Sequence, residues 1–79
     1  MENKIKYNTA FTESFGIDES ALDDLEYESI VEWDSVGHMG MIAALEETFD
    51  IMMGIDDIFD FTSYTVGIEK LKNYDIEIE

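Results

Sequence analysis

Apolar positions recur every three or four residues along most of the chain, which is the period of helices packed on one side. In the first segment, Glu2 to Phe15, Tyr7, Phe11 and Phe15 stand four apart, with Ile5 read near the same face. This pattern predicts an amphipathic helix that stops at Gly16, just past the last periodic residue. A second helix is predicted from about Ser35 to Phe49. Asp34 is its N-cap, because a carboxylate there accepts hydrogen bonds from free backbone N–H groups. Ile42, Leu45 and Phe49 share one face of it, flanked by His38 and Met41. A weaker apolar strip, Val36, Met39 and Ala43, lies apart from that face and leads to Glu46, Glu47 and Asp50. Two strips on one helix imply that one packs inward and the other stays available.

Between these helices runs "IDESALDDLEYESIVEW", residues 17–33. Connections this long are uncommon in small domains unless they are functional or contain short helical turns. Leu22, Leu25, Tyr27, Ile30 and Val31 are its expected anchors. After Gly54 and the Asp56–Asp57 break, a short helix over Asp57 to Phe61 is expected. Thr62 or Ser63 then caps a last helix that buries Tyr64, Ile68 and Leu71 and ends near Tyr74. The tail "DIEIE" alternates like a strand but has no partner strand, so it is expected to fray from about residue 75. The whole reads as one domain, residues 1–79: an all-α, small four-helix bundle of three main helices and one short one.

The charge narrows the choice of partners. Twenty acids against four lysines give a formal net charge of -16. Phosphate backbones and anionic membrane surfaces would be repelled, so neither nucleic acid nor membrane insertion is expected. A partner with a basic patch fits instead. The chain has no cysteine, hence no thiolate nucleophile, thiolate metal site or disulfide of its own. No stretch of calcium-loop spacing occurs among the acids, and no metal site is expected. The N-terminal stretch has no apolar signal core, which leaves the cytoplasm as the expected compartment.

The chemistry-bearing residues concentrate in "EWDSVGHMG", Glu32 to Gly40. Ser35 and His38 are three apart and would meet on a helix. A nucleophilic pair also requires an orienting group and an oxyanion site, which a domain of this size has little room to supply. As the first residue of a helix, Ser35 lies where N–H groups point outward and the macrodipole is positive. A phosphate on its hydroxyl would be accommodated there. Capping alone would equally explain a serine at that place.

The stretch "WDSVGHMGMIAALEETFDI", Trp33 to Ile51, resembles the signature of acyl and peptidyl carrier proteins. In that signature an Asp-Ser-Leu tripeptide precedes a helix ending in Leu-Glu-Glu-x-Phe. Asp34, Ser35 and Val36 take the tripeptide; Leu45, Glu46, Glu47 and Phe49 take the end. The resemblance extends over the chain, including the last helix in "FTSYTVGIEKL". It implies that Ser35 carries 4′-phosphopantetheine, attached from coenzyme A by a phosphopantetheinyl transferase that recognises Asp34. The arm's thiol would hold acyl or aminoacyl groups as thioesters.

The resemblance further implies a monomer that is not an enzyme. It would be served by an acyl- or aminoacyl-loading ligase and by acyl-processing enzymes with basic docking patches. Val36, Met39, Gly40, Ala43, Glu46 and Glu47 would form the docking face. Two positions depart from the common pattern: Val36 stands in place of leucine, and Trp33 in place of a small residue. Tryptophan there is more familiar in carriers of specialised pathways. Two other readings compete: an unmodified acidic interaction module on the same fold, and a small hydrolase using Ser35 and His38.

Self-repulsion among the acids weakens the compact state, and salt screens it over a Debye length of about 8 Å at physiological ionic strength. Added salt should therefore raise the melting temperature in differential scanning calorimetry; a flat response would show that repulsion does not limit stability.

Overall fold

The computed structural model describes residues 2–79. Its elements are α1 (Glu2–Phe15), a 3-10 turn (Glu19–Ala21), α2 (Ser35–Phe49), α3 (Ile55–Asp60) and α4 (Tyr64–Lys72). Among the described residues there is no strand, only an isolated antiparallel bridge between Glu26 and Ser63. The molecule is an all-helical bundle of four helices, with α1 and α2 as its main packed pair.

Aromatic rings dominate the core. Tyr7, Phe11 and Phe15 of α1 are buried, because positions four apart return to one side of a helix. Phe11 sits edge-on to Tyr7, Trp33 and Tyr64, with ring centroids 4.9, 5.7 and 5.4 Å away. The Tyr7 hydroxyl, drawn into this core, donates to the Tyr64 carbonyl at 2.6 Å. Burial, reinforced by neighbouring Tyr64, pushes the Tyr7 hydroxyl above the ordinary phenol range, so it stays a neutral donor. Ile5 does not share the buried face and is mostly exposed. Two residues from Tyr7 means a turn of roughly 200°, which places Ile5 on the far side of α1.

The long connection is held by three buried side chains, Leu22, Leu25 and Trp33. Asp18 caps the 3-10 turn by accepting from the Ser20 N–H at 2.9 Å, and hydrogen bonding from the Ser20 side chain first, then from its backbone N–H, holds the Asp18 carboxyl below the usual range. Two backbone bonds then tie the connection to the α3–α4 junction: Tyr27 N–H to the Thr62 carbonyl and Tyr64 N–H to the Leu25 carbonyl, both 2.9 Å. Val31, expected as an anchor, is exposed. The turn closing around Trp33 has Glu28 in the left-handed region, at φ 66°, and it aims Val31 outward.

The short helix α3 begins two residues before the expected start. Gly54 serves as N-cap, its carbonyl accepting from Ile58 N–H at 3.0 Å. Asp56 and Asp57 therefore occupy the first turn, where negative charge favours a helix, instead of breaking it. Ser63 caps α4 by accepting from Val66 N–H at 3.0 Å. The helix ends at Lys72, short of Tyr74, and buries Tyr64, Gly67 and Leu71; Ile68 is only partly covered. The tail is tied back where fraying was expected. Asp75 turns the chain at φ 61°, and Ile76 N–H donates to the Leu71 carbonyl at 3.1 Å. Ile76 thereby enters the core, and Asn3 donates to the Glu77 carbonyl at 3.0 Å.

Gly67 lies where α4 meets the aromatic core. A Cβ there would overlap the Phe61 ring and the Tyr7 hydroxyl, both fixed by their neighbours, whereas a Cβ on Gly40 would meet nothing within 4 Å. Gly67→Ala should therefore cost about 1–3 kcal/mol through overpacking. Gly40→Ala should stabilise by up to about 1 kcal/mol through helix propensity. Urea midpoints of the two variants should move in opposite directions, and a common shift would contradict this account of the packing.

Candidate functional site

Ser35 is the first residue of α2 and is exposed. Asp34 before it is extended, and its carboxylate accepts from Gly37 N–H at 2.7 Å, which confirms the expected cap. The carbonyl of Asp34 accepts from His38 N–H at 2.7 Å and starts the helical ladder. Gly37 makes the entry possible. A side chain there would run into the Glu32 carbonyl, which packs directly on the first turn.

His38 is not a base for Ser35. Its Nδ1 accepts from the Trp33 indole N–H at 2.9 Å, and its Nε2 lies 2.8 Å from the Ile58 carbonyl. An indole nitrogen only donates and a carbonyl only accepts. The imidazole is therefore neutral, with its proton on Nε2. The two rings lie within 13° of parallel, and both are buried. Trp33 also stacks on Phe15 at 5.3 Å. His38 thus joins three elements: the end of the long connection, α2 and α3. Neither ring nitrogen is free for the Ser35 hydroxyl.

Helix α2 is divided as the two-strip pattern implied. His38, Met41, Ile42 and Leu45 are buried, so Met41 and His38 belong to the core face and do not merely flank it. Phe49 shares that direction but is only partly covered at the helix end. Val36, Met39, Gly40, Ala43 and Glu47 are exposed on the opposite side. Glu46, expected on the docking face, also has a structural contact. It is partly buried, and its Oε2 accepts from Met53 N–H at 2.9 Å, fixing the α2–α3 loop.

Beside Ser35 the structure opens a groove of about 290 Å³ between α2 and α3. Ser35 and Met39 form one wall, while Tyr27, Phe59, Phe61 and Thr62 supply the others. His38 also lines it, and no carboxylate does. Phe59 is 71% exposed although it is a large apolar side chain. Reading the sequence missed Tyr27, Phe59, Phe61 and Thr62 as parts of one site. The one available signal was a phenylalanine in the acid-rich "DDIFD", on a helix too short to bury it. Among the described residues, no three histidine or acidic side chains converge as ion ligands, and no helix is long and apolar enough to cross a membrane. No family model, no curated protein and no solved structure matches the chain.

Helix α3 buries no residue fully. Besides the His38 bond, it is held by Tyr74, which donates to Asp57 at 2.6 Å, and by Lys70, 3.8 and 3.5 Å from Asp57 and Asp60. Those ion pairs are partly or largely exposed and worth little individually. His38→Ala should therefore accelerate amide exchange in α3 selectively, on the order of tenfold if about 1.4 kcal/mol of local stability is lost. Equal acceleration in α1 and α3 would show that the histidine supports the bundle generally and not α3 in particular.

Proposed function

We propose that this chain is a carrier protein whose Ser35 hydroxyl is an attachment point for 4′-phosphopantetheine and which delivers thioester-bound acyl or aminoacyl groups to partner enzymes. The observation that carries this reading is the pairing of an exposed serine at a helix start with a histidine whose two nitrogens are already engaged. His38 is therefore not available as the base that would make this serine a nucleophile in its own right. The serine is accessible to an external enzyme that would supply the base. The resemblance of Trp33 to Ile51 to the carrier signature points the same way.

The residues fit the group in charge and access. Ser35 stands at the positive end of a 15-residue helix, where a phosphodiester is favoured. Asp34 keeps that end ordered through Gly37 N–H and presents its remaining carboxylate surface to the transferase. In the transfer, the Ser35 oxygen forms a P–O bond as the pyrophosphate P–O bond of coenzyme A breaks. Adenosine bisphosphate leaves, and the serine proton passes to the transferase. The attached arm supplies a thiol, which this cysteine-free chain lacks.

Docking would use Val36, Met39, Gly40 and Ala43 for apolar contact and Glu47 for charge. Exposed ion pairs of about 0–1 kcal/mol each would give contacts that form and release quickly, as a shuttle requires. The cytoplasm and a monomeric state belong to the same proposal.

Incubation with a broad-specificity phosphopantetheinyl transferase, Mg²⁺ and coenzyme A, followed by intact mass measurement, tests the reading. One arm should be added to the wild-type chain and none to Ser35→Ala. No gain on the wild type, or a gain that survives the substitution, rejects it.

A further inference from the structure

Resting on the carrier reading, we propose that the cargo is a compact aromatic acyl group that settles in the groove beside Ser35 and is excluded from the bundle interior. The first observation is what stands behind the groove. Phe61 and Trp33, the latter bonded to the groove residue His38, are fully buried there, and the His38 bridge to Trp33 and Ile58 closes the way between α2 and α3. A flexible chain entering the core would have to break both histidine bonds and displace stacked rings. Interiors packed this closely do not yield volume without cost.

The second observation is the groove itself. Besides Ser35, His38 and Thr62, it is lined by the Tyr27 and Phe59 rings and the Met39 thioether, together with the fully buried Phe61 ring. Aromatic faces and edges favour another ring in stacked or edge-on contact, and methionine sulfur adds favourable contacts with rings. Size agrees. A cavity of about 150 Å³ holds one benzene, so about 290 Å³ has room for a ring with its thioester end.

The third observation is charge. On a chain of net charge -16, a groove with no carboxylate in its lining suits a neutral occupant. A basic peptide would be drawn to the acids elsewhere. Ser35 is itself part of the wall, so a tethered group is held at high local concentration and needs little intrinsic affinity.

The test loads the protein from coenzyme A, benzoyl-coenzyme A and octanoyl-coenzyme A, verifies each by intact mass, and follows methionine methyl and tryptophan indole resonances. Relative to the form carrying the free thiol, the benzoyl form should shift the Met39 methyl and leave Met41 and the Trp33 indole in place. Phe59→Ala, at an exposed position, should abolish most of that shift without unfolding the protein. The octanoyl form should leave Met41 and the Trp33 indole near their free-thiol positions and shift Met39 less than the benzoyl form does. An unmoved Met39 in the benzoyl form, a Met39 shift at least as large with octanoyl, or a moved Met41 or Trp33 with octanoyl overturns the proposal.

If the mass does not increase, the carrier reading fails. Titration of unmodified protein with benzoyl N-acetylcysteamine thioester then decides the groove separately. A saturable, Phe59-dependent shift of Met39 keeps its aromatic preference, and no shift removes it.

Discussion

The bridge from the Trp33 indole through the His38 ring to the Ile58 carbonyl connects three parts of the chain that share no other buried polar side-chain link. Its strength lies in complementarity. A donor-only indole, a two-sided neutral imidazole and an acceptor-only carbonyl satisfy one another completely, and a buried polar group left unpaired would be costly. Through this bridge the end of the long connection is pinned to α2, and α3 is pinned above the helix start that holds Ser35. The engagement of the histidine nearest the candidate attachment residue and the placement of α3 beside the adjoining groove follow from the same two hydrogen bonds.

The rest of the architecture divides stability from accessibility. Apolar burial is concentrated in the rings of α1, Trp33, Phe61 and Tyr64 and in the inward face of α2. The opposite face of α2 and most of α3 bury little. In a chain carrying so much like charge, a small element such as α3 is held by the partial packing of Ile58 and by hydrogen bonds to His38 and Tyr74, with Lys70 adding ion pairs. That economy leaves Met39 and Phe59 uncovered next to Ser35. In the proposed carrier, this exposed apolar pair is where cargo would meet the chain.

Much of this was legible in the residue pattern. Four-residue spacing placed Tyr7, Phe11 and Phe15, and polar residues before apolar runs placed one cap at Asp34 and the other at Thr62 or Ser63, of which the structure uses Ser63. Errors arose where spacing is a poor guide. Ile5 was counted with a face it does not share, and Val31 was assumed buried because it is apolar. The acids at Asp56 and Asp57 were read as a break when they begin α3. Fraying was expected of a tail that lacks a partner strand, but Ile76 needed only a hydrophobic socket, which a left-handed turn at Asp75 lets it reach. Glu46 looked identical to Glu47 in the sequence. Only the fold of the following loop brought Met53 N–H to one of them and not the other.

By itself, the sequence determined the helical class, the positions of the main helices and the place of Ser35 at the start of α2. These depend on short-range periodicity and on capping, which involve residues three or four apart. Tertiary structure alone decided what His38 does, whether Glu46 is free, and that Tyr27, Phe59, Phe61 and Thr62 meet around Ser35. Those facts depend on contacts across the long connection and between α2 and α3. There the hydrogen-bonding capacity of a ring, and not its place in a pattern, selects the partner.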